Sequence, residues 1–398
     1  MKILMLTPYV PYPPSSGGQI RTLNLLKYLS KKNQITLVAL YKDDSEKKYL
    51  SHLRHYCKKI YLCRRPKKPW QINNILKAIF SALPFLIIRN YSQEAKERIA
   101  DLLKNEDFDV IHAETFYIMP HIPDTKVPII LVEQTIEYKV YQHFVNSVSF
   151  YLRFLFHLDI LKLKRWERFY WRKANIVATV SHSDEKIIKE LEPDIKTTIV
   201  PNGAGEDMIT HRLERKNLTK PYIIFQGNFN WLQNVEAAKY LTYVIYPKLL
   251  KVAPKIEVVI SGQNARKISE LKKLGVIIID NPPDDFRTVQ SLFKKASLFI
   301  APIFGPGGTR LKILAAMASG IPVVSTKTGV EGLEVEDNKH VLIAHDEDEF
   351  VKIILHVVSH KSQYEVIRKN AYHLVREKYN WQTIAHTLEI VYQTIITS

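Results

Sequence analysis

The chain of 398 residues has only two cysteines, Cys57 and Cys63, which excludes a disulfide framework. Both sit in a basic segment with His52 and His55, in an order and spacing that fits no common zinc pattern. Reduced thiols beside surface histidines is the reading, with a metal held by those four residues as the lesser alternative. No apolar run reaches the roughly 18 residues that a spanning helix needs. The best attempt, residues 75–88, is broken by Lys77, Ser81 and Pro84. Met1 to Leu6 is apolar, but Pro8, Pro11, Pro13 and Pro14 follow at once, so it reads as a buried strand and not as a signal peptide. Low-complexity tracts and solenoid periods are missing too. So are acidic residues between Glu46 and Glu94, a stretch that holds eleven Lys and Arg, among them Lys47, Arg65 and Arg89. Residues 1–200 carry 32 Lys and Arg against 20 Asp and Glu, most of the net charge of +17. Such a patch attracts phosphates or keeps a protein dissolved. Helix-turn-helix, RNP-like and zinc-finger signatures are all absent, so no nucleic-acid partner is expected.

What is present reads as a globular protein: 46% apolar, 24% charged and long enough for two domains. Its most telling stretch is Gly305 to Ser325, GPGGTRLKILAAMASGIPVVS. A buried strand, Ala296 to Ile303, precedes it. Three glycines and a proline make a loop, and Leu311, Leu314, Ala315 and Ala318 then recur at helical spacing. Gly320 and Pro322 end the helix before another short strand. Strand, glycine loop, helix and strand form a parallel α/β unit whose helix N-terminus suits a phosphate. Arg310 and Lys312, in the first turn, oppose the helix dipole and are better placed to grip an anion than to stabilise the helix.

A second such unit opens the chain: strand Lys2 to Leu6, loop Ser15 to Gly18 with Gly17 and Gly18 at its end, then a helix from about Gln19 to Leu29. It lacks the dinucleotide fingerprint, so NAD is not read there. A strand at 35–40 and a basic helical region follow. Strands at 109–112 and 128–132 end in His112 and Glu114, and in Glu133, Gln134 and Glu137, which puts these groups at the carboxyl edge of a sheet, where ligands bind. Residues 144–173 are aromatic and basic, readable as a core helix with a solvated face or as a helix lying on an anionic membrane. A fresh alternation begins at Pro221: strand 222–225, loop Gln226-Gly227-Asn228, and a helix over 235–250 kinked at Pro247. Gly329-Val-Glu331-Gly332 closes the edge of the pocket, and the last helix starts near Trp381. The expected fold is α/β, with two Rossmann-like domains facing each other across a cleft.

Gly227-Asn-Phe-Asn-Trp231 with Asn234, Gly307 to Leu314, Ala316 to Ala318, Gly320 to Thr326 and Gly329 to Leu333 resemble the GT-B retaining glycosyltransferases of family 4 (group 1), nearest a bacterial branch with a GGTRLK segment. Val200-Pro-Asn-Gly203 and Ser16 to Arg21 fit as well, so nearly the whole chain is covered. The resemblance implies domains at 1–205 and 206–378 and a final helix, 379–398, returning to the first. It implies transfer of a sugar from a nucleotide-diphosphate donor to a hydroxyl acceptor with retained configuration, and neither a cofactor nor an obligatory metal. Two Asp-x-Asp triplets, Asp107 to Asp109 and Asp346 to Asp348, lie away from the expected site. Arg310, Lys312 and the N–H groups of Thr309 to Lys312 would stabilise the departing diphosphate, with Gly18, Gly227, Asn228, Gly307, Gly308, Leu311 and Glu331 around the donor. Gly17, His112 and Gln134 fall on the acceptor side, and Glu137 is the branch's acid. Two positions depart. The wider family has glutamates where this chain has Gly307 and Ala315; the branch shares the glycine but usually keeps the second acid. The family's active-site histidine is Gln134 here, which cannot act as a base. The expected acceptor is a lipid-linked or polysaccharide hydroxyl. The expected location is the cytoplasm, at the inner face of the cell membrane, with anionic lipid as a further contact. A family member that binds nucleotide sugar or lipid without efficient turnover is the alternative.

Overall fold

The computed structural model describes residues 1–67, 71–148, 150–204, 208, 222–282, 285–305 and 310–397. It divides into two units, Met1–Pro201 with Ile384–Ser398, and Asn202–Thr383. The sequence reading puts the divisions slightly differently, at 205/206 and 378/379.

The first unit is built on seven parallel strands: β1 (Lys2–Thr7), β2 (Gln34–Tyr41), β3 (Lys59–Arg64), β4 (Val110–Glu114), β5 (Ile129–Glu133), β6 (Ile176–Thr179) and β7 (Thr197–Ile199), in the order β3-β2-β1-β4-β5-β6-β7. β4 and β5 are buried at every residue, which is why they read as unbroken apolar runs without alternation. The strand order reverses between β1 and β4, so the loop after β1 and the end of β4 share the crevice where open α/β sheets take ligands. Ser16 caps the helix Gly17–Leu29, so that helix starts two residues earlier than its apolar period suggests.

Two expectations need correcting here. The basic stretch after β2 is helical only at first, a 3-10 helix Asp44–Tyr49 running into Leu50–Leu53, and then forms the edge strand β3, whose short apolar run Ile60 to Cys63 lies between pairs of basic residues. Residues 144–173 are not one helix: Glu137–Asn146 ends at Ser147, and a second helix runs over Phe150–Lys173. The broken apolar run at 75–88 lies in two helices, Ile72–Phe80 and Phe85–Asn90. Pro84 disfavours helical backbone at the residue before it and takes the N-cap of the second.

The helix Trp381–Thr397 supplies the last piece of the first unit. Ile384, Leu388 and Tyr392 are buried, and Glu389 accepts a hydrogen bond from Asn33 Nδ2 (2.7 Å).

The second unit repeats the winding with β8 (Tyr222–Gln226), β9 (Glu257–Gly262), β10 (Ile277–Asp280), β11 (Leu298–Ala301), β12 (Val323–Ser325) and β13 (Leu342–Ile343), all parallel in the order β10-β9-β8-β11-β12-β13. Its switch point lies between β8 and β11. The helix at Pro247 is not simply kinked: Leu232–Tyr240 runs into a π-helical turn, Leu241–Ile245, before Tyr246–Val252. A proline lacks the N–H that the preceding turn needs, and a π-turn accommodates that loss. The helix Leu311–Ala318 buries Ile313, Leu314, Ala316, Met317 and Ala318. It closes with the N–H of Ile321 on the carbonyl of Ala316 (3.1 Å) and that of Gly320 on Met317 (3.0 Å), with Gly320 at φ +64. Only glycine takes that left-handed position cheaply, and Pro322 then stops the helix.

Candidate functional site

At the carboxyl edge of the second sheet, where β8 and β9 end, two backbone segments touch. A Cβ on Gly262, at the end of β9 with φ +142, would lie 1.8 Å from the carbonyl oxygen of Gly227, so no side chain fits there. A Cβ on Gly227 would meet Asn234 at 2.8 Å. Asn234 Nδ2 donates to the Asn228 carbonyl (2.7 Å), and Asn228 Nδ2 donates to Gln263 Oε1 (2.9 Å). Asn234 Oδ1 in turn accepts from Lys312 Nζ, which also lies 5.0 Å from the centre of the Phe225 ring. Asn228 and Lys312 thus form one hydrogen-bonded group through Asn234, which also packs against Gly227 and which the sequence places in the motif but gives no role.

Burial and the neighbouring Arg310 charge pull the Lys312 ammonium down to about 7. Arg310 is the N-cap residue of Leu311–Ala318 and not part of its first turn, so the helix begins at Leu311, later than its sequence suggests. The guanidinium of Arg310 donates to the Gly305 carbonyl (2.7 Å). Leu311 packs on the core of the second unit. Gly307, Gly308 and Thr309 lie outside the described residues. Glu331 is exposed at the end of the short turn Thr328–Val330, and Gly329, which precedes Val330, packs against Ser325 and Thr326. Ala315 is half-buried.

The carboxyl edge of the first sheet has a different chemistry. Gly17 and Gly18 open the first helix, and a Cβ on Gly18 would lie 2.5 Å from Tyr9 Oη and 2.9 Å from Gln134 Oε1. Gln134 Nε2 donates to Tyr9 Oη (3.0 Å) and to Glu114 Oε2 (2.8 Å). Glu114 Oε1 faces both Arg21 Nε and His112 Nε2 at 3.3 Å, and all three of these side chains are fully buried. Burial pushes the Glu114 carboxyl up, but Arg21, His112 and Gln134 together outweigh it and hold it below the ordinary value. His112 Nδ1 is 2.6 Å from the hydroxyl of Tyr392 on the last helix. His112 and Gln134 therefore belong to one buried network with Arg21, Glu114 and Tyr392. Arg21 also donates to the carbonyls of Val200 (3.0 Å) and Pro201 (2.9 Å).

Beyond the end of β5 is a group of three carboxyls, Glu133, Glu137 and Glu167. Glu133 Oε1 accepts from Trp171 Nε1 (2.8 Å), and Glu167 accepts the backbone N–H groups of Glu137 (2.8 Å) and Tyr138 (3.0 Å). Thr135 Oγ1 donates to Glu137 Oε1 (2.9 Å). Burial raises all three above the ordinary carboxylate value, most strongly Glu133 and Glu167, which also repel neighbouring carboxylates. Nearby, Thr115 follows β4 with φ +68, ψ 154. A β-branched residue rarely adopts such backbone, which costs about 1–3 kcal/mol and clusters at functional sites. Sequence gives no hint of Glu167 or Thr115: one is an acid inside an amphipathic helix, the other an ordinary threonine.

Other acidic candidates serve the backbone. Asp109 accepts the N–H of Lys2 (2.6 Å), and Asp346 caps the helix Glu347–Ser359 while Asp348 pairs with Lys248 (2.7 Å). Cys57 and Cys63 are free and buried, with thiols pushed up to about 12 by burial.

The chain is similar in fold to sucrose-phosphate synthase from Thermosynechococcus elongatus, at TM-score 0.77 and 14% identity over 100% of this chain and 99% of that one. Anabaena HepE, whose structures hold UDP, UDP with glucose, or UDP-glucose, is similar at TM-score 0.66 and 13% identity over 99% and 100%. By sequence the chain is 24% identical to an uncharacterized 44.6 kDa protein in the cps region of Klebsiella pneumoniae, over 95% of this chain and 96% of that protein. Residues 15–206 match the family described as Glycosyltransferase Family 4, and residues 220–360 match Glycosyl transferases group 1. Each match takes in most of one Rossmann-like unit, and both name the same chemistry: the chain belongs to the group 1, family 4 glycosyltransferases and has their GT-B fold.

Proposed function

We propose that the protein moves a sugar from a nucleoside-diphosphate sugar to a hydroxyl of a cell-envelope polysaccharide or glycolipid, with retention of configuration. One observation carries the reading: Arg310 and Lys312 stand together at the carboxyl edge of the second sheet, Arg310 on the Gly305 carbonyl and Lys312 on Asn234, which packs against Gly227. Two basic side chains beside a helix N-terminus suit a diphosphate. The nucleotides held by HepE and the cps-region location of the Klebsiella relative support the donor class and the envelope role.

In the proposed reaction the bond from the anomeric carbon to the diphosphate breaks and its electron pair leaves on the phosphate oxygen. Arg310 and Lys312 stabilise that charge, which is how transferases lacking a metal can work. The acceptor oxygen bonds to the anomeric carbon and its proton passes to the departing phosphate, since Gln134 is engaged by Tyr9 and Glu114 and is no base. Glu137, whose carboxyl burial raises above the ordinary value, hydrogen-bonds bound substrate.

Peripheral contact with an anionic membrane is part of the proposal. On the helix Ile72–Phe80 the small and polar Asn74 and Ala78 are buried, while Ile72, Leu76, Ile79 and Phe80 are exposed, Phe80 by 84%. Leu158 and Leu161 on the long helix are exposed too, and Lys162 Nζ ties the two helices by donating to the carbonyls of Ala78 and Ser81 (both 2.7 Å). Among the described residues no helix is long and apolar enough to cross a membrane.

The test is a screen of purified protein against UDP-, GDP-, ADP- and dTDP-sugars by thermal shift and nucleotide release. One donor that stabilises and is slowly hydrolysed supports transfer. Stabilisation without release, even with envelope lipid added, supports a binding protein instead, the reading that Ala315 and Gln134 motivate. Silence across the panel would sink the donor site.

A further inference from the structure

Three cations converge at the carboxyl edge of the first sheet, and none of them has a part in the chemistry above. Lys42 directly follows Tyr41 at the end of β2, and Arg65 directly follows Arg64 at the end of β3. Tyr41 and Arg64 are register partners, and the N–H of Arg65 donates to the Tyr41 carbonyl (2.9 Å), so the two basic residues leave the sheet side by side. The Arg65 guanidinium then donates to Asn90 Oδ1, and Asn90 Nδ2 is itself fixed on the Leu86 carbonyl (2.7 Å). That contact brings Arg65 against Arg89, the residue before Asn90. Arg65 Nε is buried, with no hydrogen-bond partner among the described residues.

The charges are close enough to disturb one another. Partial burial, then Arg65 and Arg89, lower Lys42; burial, then Arg89, bring Arg65 down to about 10. Glu46 is the acid that offsets both, held by the N–H groups of Lys42 and Asp43 (3.0 Å each). Asp43 is taken by Lys67, and Asp44 by Lys47 at 2.7 Å. On its other side Arg89 acts on Glu137 and Tyr117. Three basic side chains against the committed Glu46 and, beside Arg89, the buried Glu137 leave an excess of positive charge that is costly for stability alone, and neutral side chains would pack there with less repulsion. It sits where α/β sheets take ligands, and two guanidinium forks match the geometry of an oxyanion.

We propose that Lys42, Arg65 and Arg89 form an anion site that takes a phosphate carried by the acceptor, next to Glu137. This deepens the transferase reading and rests on it for the word acceptor: the molecule that receives the sugar bears a phosphate. The exposed apolar helix Ile72–Phe80 lies in the chain just before the helix that carries Arg89, which favours a phosphate on a lipid over one free in solution.

The test is calorimetric titration of the full chain at low salt with octyl phosphate, octyl glucoside and inorganic phosphate. It is repeated on Lys312→Ala protein, so that phosphate bound at the second sheet is not counted. Octyl phosphate should bind, weaken about ten-fold in Arg89→Gln and in Arg65→Gln, and recover in Arg89→Lys. Lys42→Gln should weaken it about three-fold; being exposed, this side chain can be changed without threat to folding. Octyl phosphate binding more tightly than inorganic phosphate assigns the phosphate to a lipid; equal binding assigns it to a headgroup or a free phosphate. Unchanged affinity in both Arg89→Gln and Lys42→Gln, or octyl glucoside binding as well as octyl phosphate, overturns the site. Binding that depends on Arg89 in a protein that transfers no sugar would keep the site and remove only the transferase reading.

Discussion

The two sheets are wound alike and end in opposite chemistry. At the carboxyl edge of the second, glycine brings backbone against backbone, as Gly262 does to Gly227, and Arg310 and Lys312 donate to the Gly305 carbonyl and to Asn234. At the first, the same edge holds buried acids: Glu114 clamped by Arg21 and His112, then Glu133, Glu137 and Glu167 crowded together. One edge gathers two basic side chains, one of which, Lys312, is drawn down to about 7 by burial and by Arg310. The other gathers buried carboxyls whose protonation depends on their neighbours, which in the proposed reaction suits an edge that positions a hydroxyl. Identical topology therefore says little about which substrate goes where, and the side chains at the strand ends say most of it.

The sharpest way to break this contrast is to take the charge from the second edge. Arg310→Ala and Lys312→Ala should each lower transfer roughly 10²–10³-fold with little change in melting temperature, as expected for donors that act on developing charge. Steady-state rates beside a thermal melt would check it; a variant with wild-type turnover at saturating donor would remove that residue from the site.

Next in size is the backbone contact. Gly262→Ala places a Cβ against the Gly227 carbonyl at a φ that alanine avoids, and should destabilise the protein by about 3 kcal/mol or more. Denaturant unfolding would measure it. A loss below about 1 kcal/mol would mean the two strand ends have room to part.

At the first edge the acids should pull stability in opposite directions. Glu133 is raised above its ordinary 4.5, so the unfolded chain gives up its proton before the folded one does, and stability is lost as pH rises from 4.5 through the folded value. Glu133→Gln keeps an oxygen for Trp171 and should raise the melting temperature at pH 7 by a few degrees. Glu114, held below 4.5, contributes stability that is present above that value and lost as pH falls beneath it. Melting curves from pH 3 to 8 for Glu133→Gln and wild type separate the two; a Glu133→Gln protein less stable at pH 7 would refute the raised acid.

The smallest effect is the uptake of a proton. With Lys312 near 7, the free protein at pH 8 holds that amine mostly neutral, and an arriving diphosphate favours its charged form. Donor binding at pH 8 should take up close to one proton and weaken as pH rises further. Calorimetry in buffers of different ionisation enthalpy reads this directly, and Lys312→Ala should abolish it.

Much of the second edge was legible in sequence because its parts are contiguous: Gly227 and Asn228 follow one strand, and Arg310 and Lys312 follow a glycine loop. Their apolar flanks leave no other place for them. The first edge was legible only in pieces. His112, Gln134 and Glu137 stand at strand ends and could be named, but their meaning depends on partners far away in sequence: Tyr392, Tyr9 and Glu167. No local pattern marks Glu167, an acid among the aromatics of a long helix, as the cap of another helix. β3 was missed for a related reason. An edge strand flanked by lysines and arginines reads as part of the basic stretch around it.

His112 finds its hydroxyl partner on Tyr392, and Asn33 its carboxylate on Glu389. The first unit is thus discontinuous: residues 1–201 wait for Ile384–Ser398 before their sheet is fully covered. During synthesis the whole of the second unit leaves the ribosome in that interval. The domain that begins first is completed last, and until then a buried histidine and an open flank are exposed to chaperones, proteases and other chains.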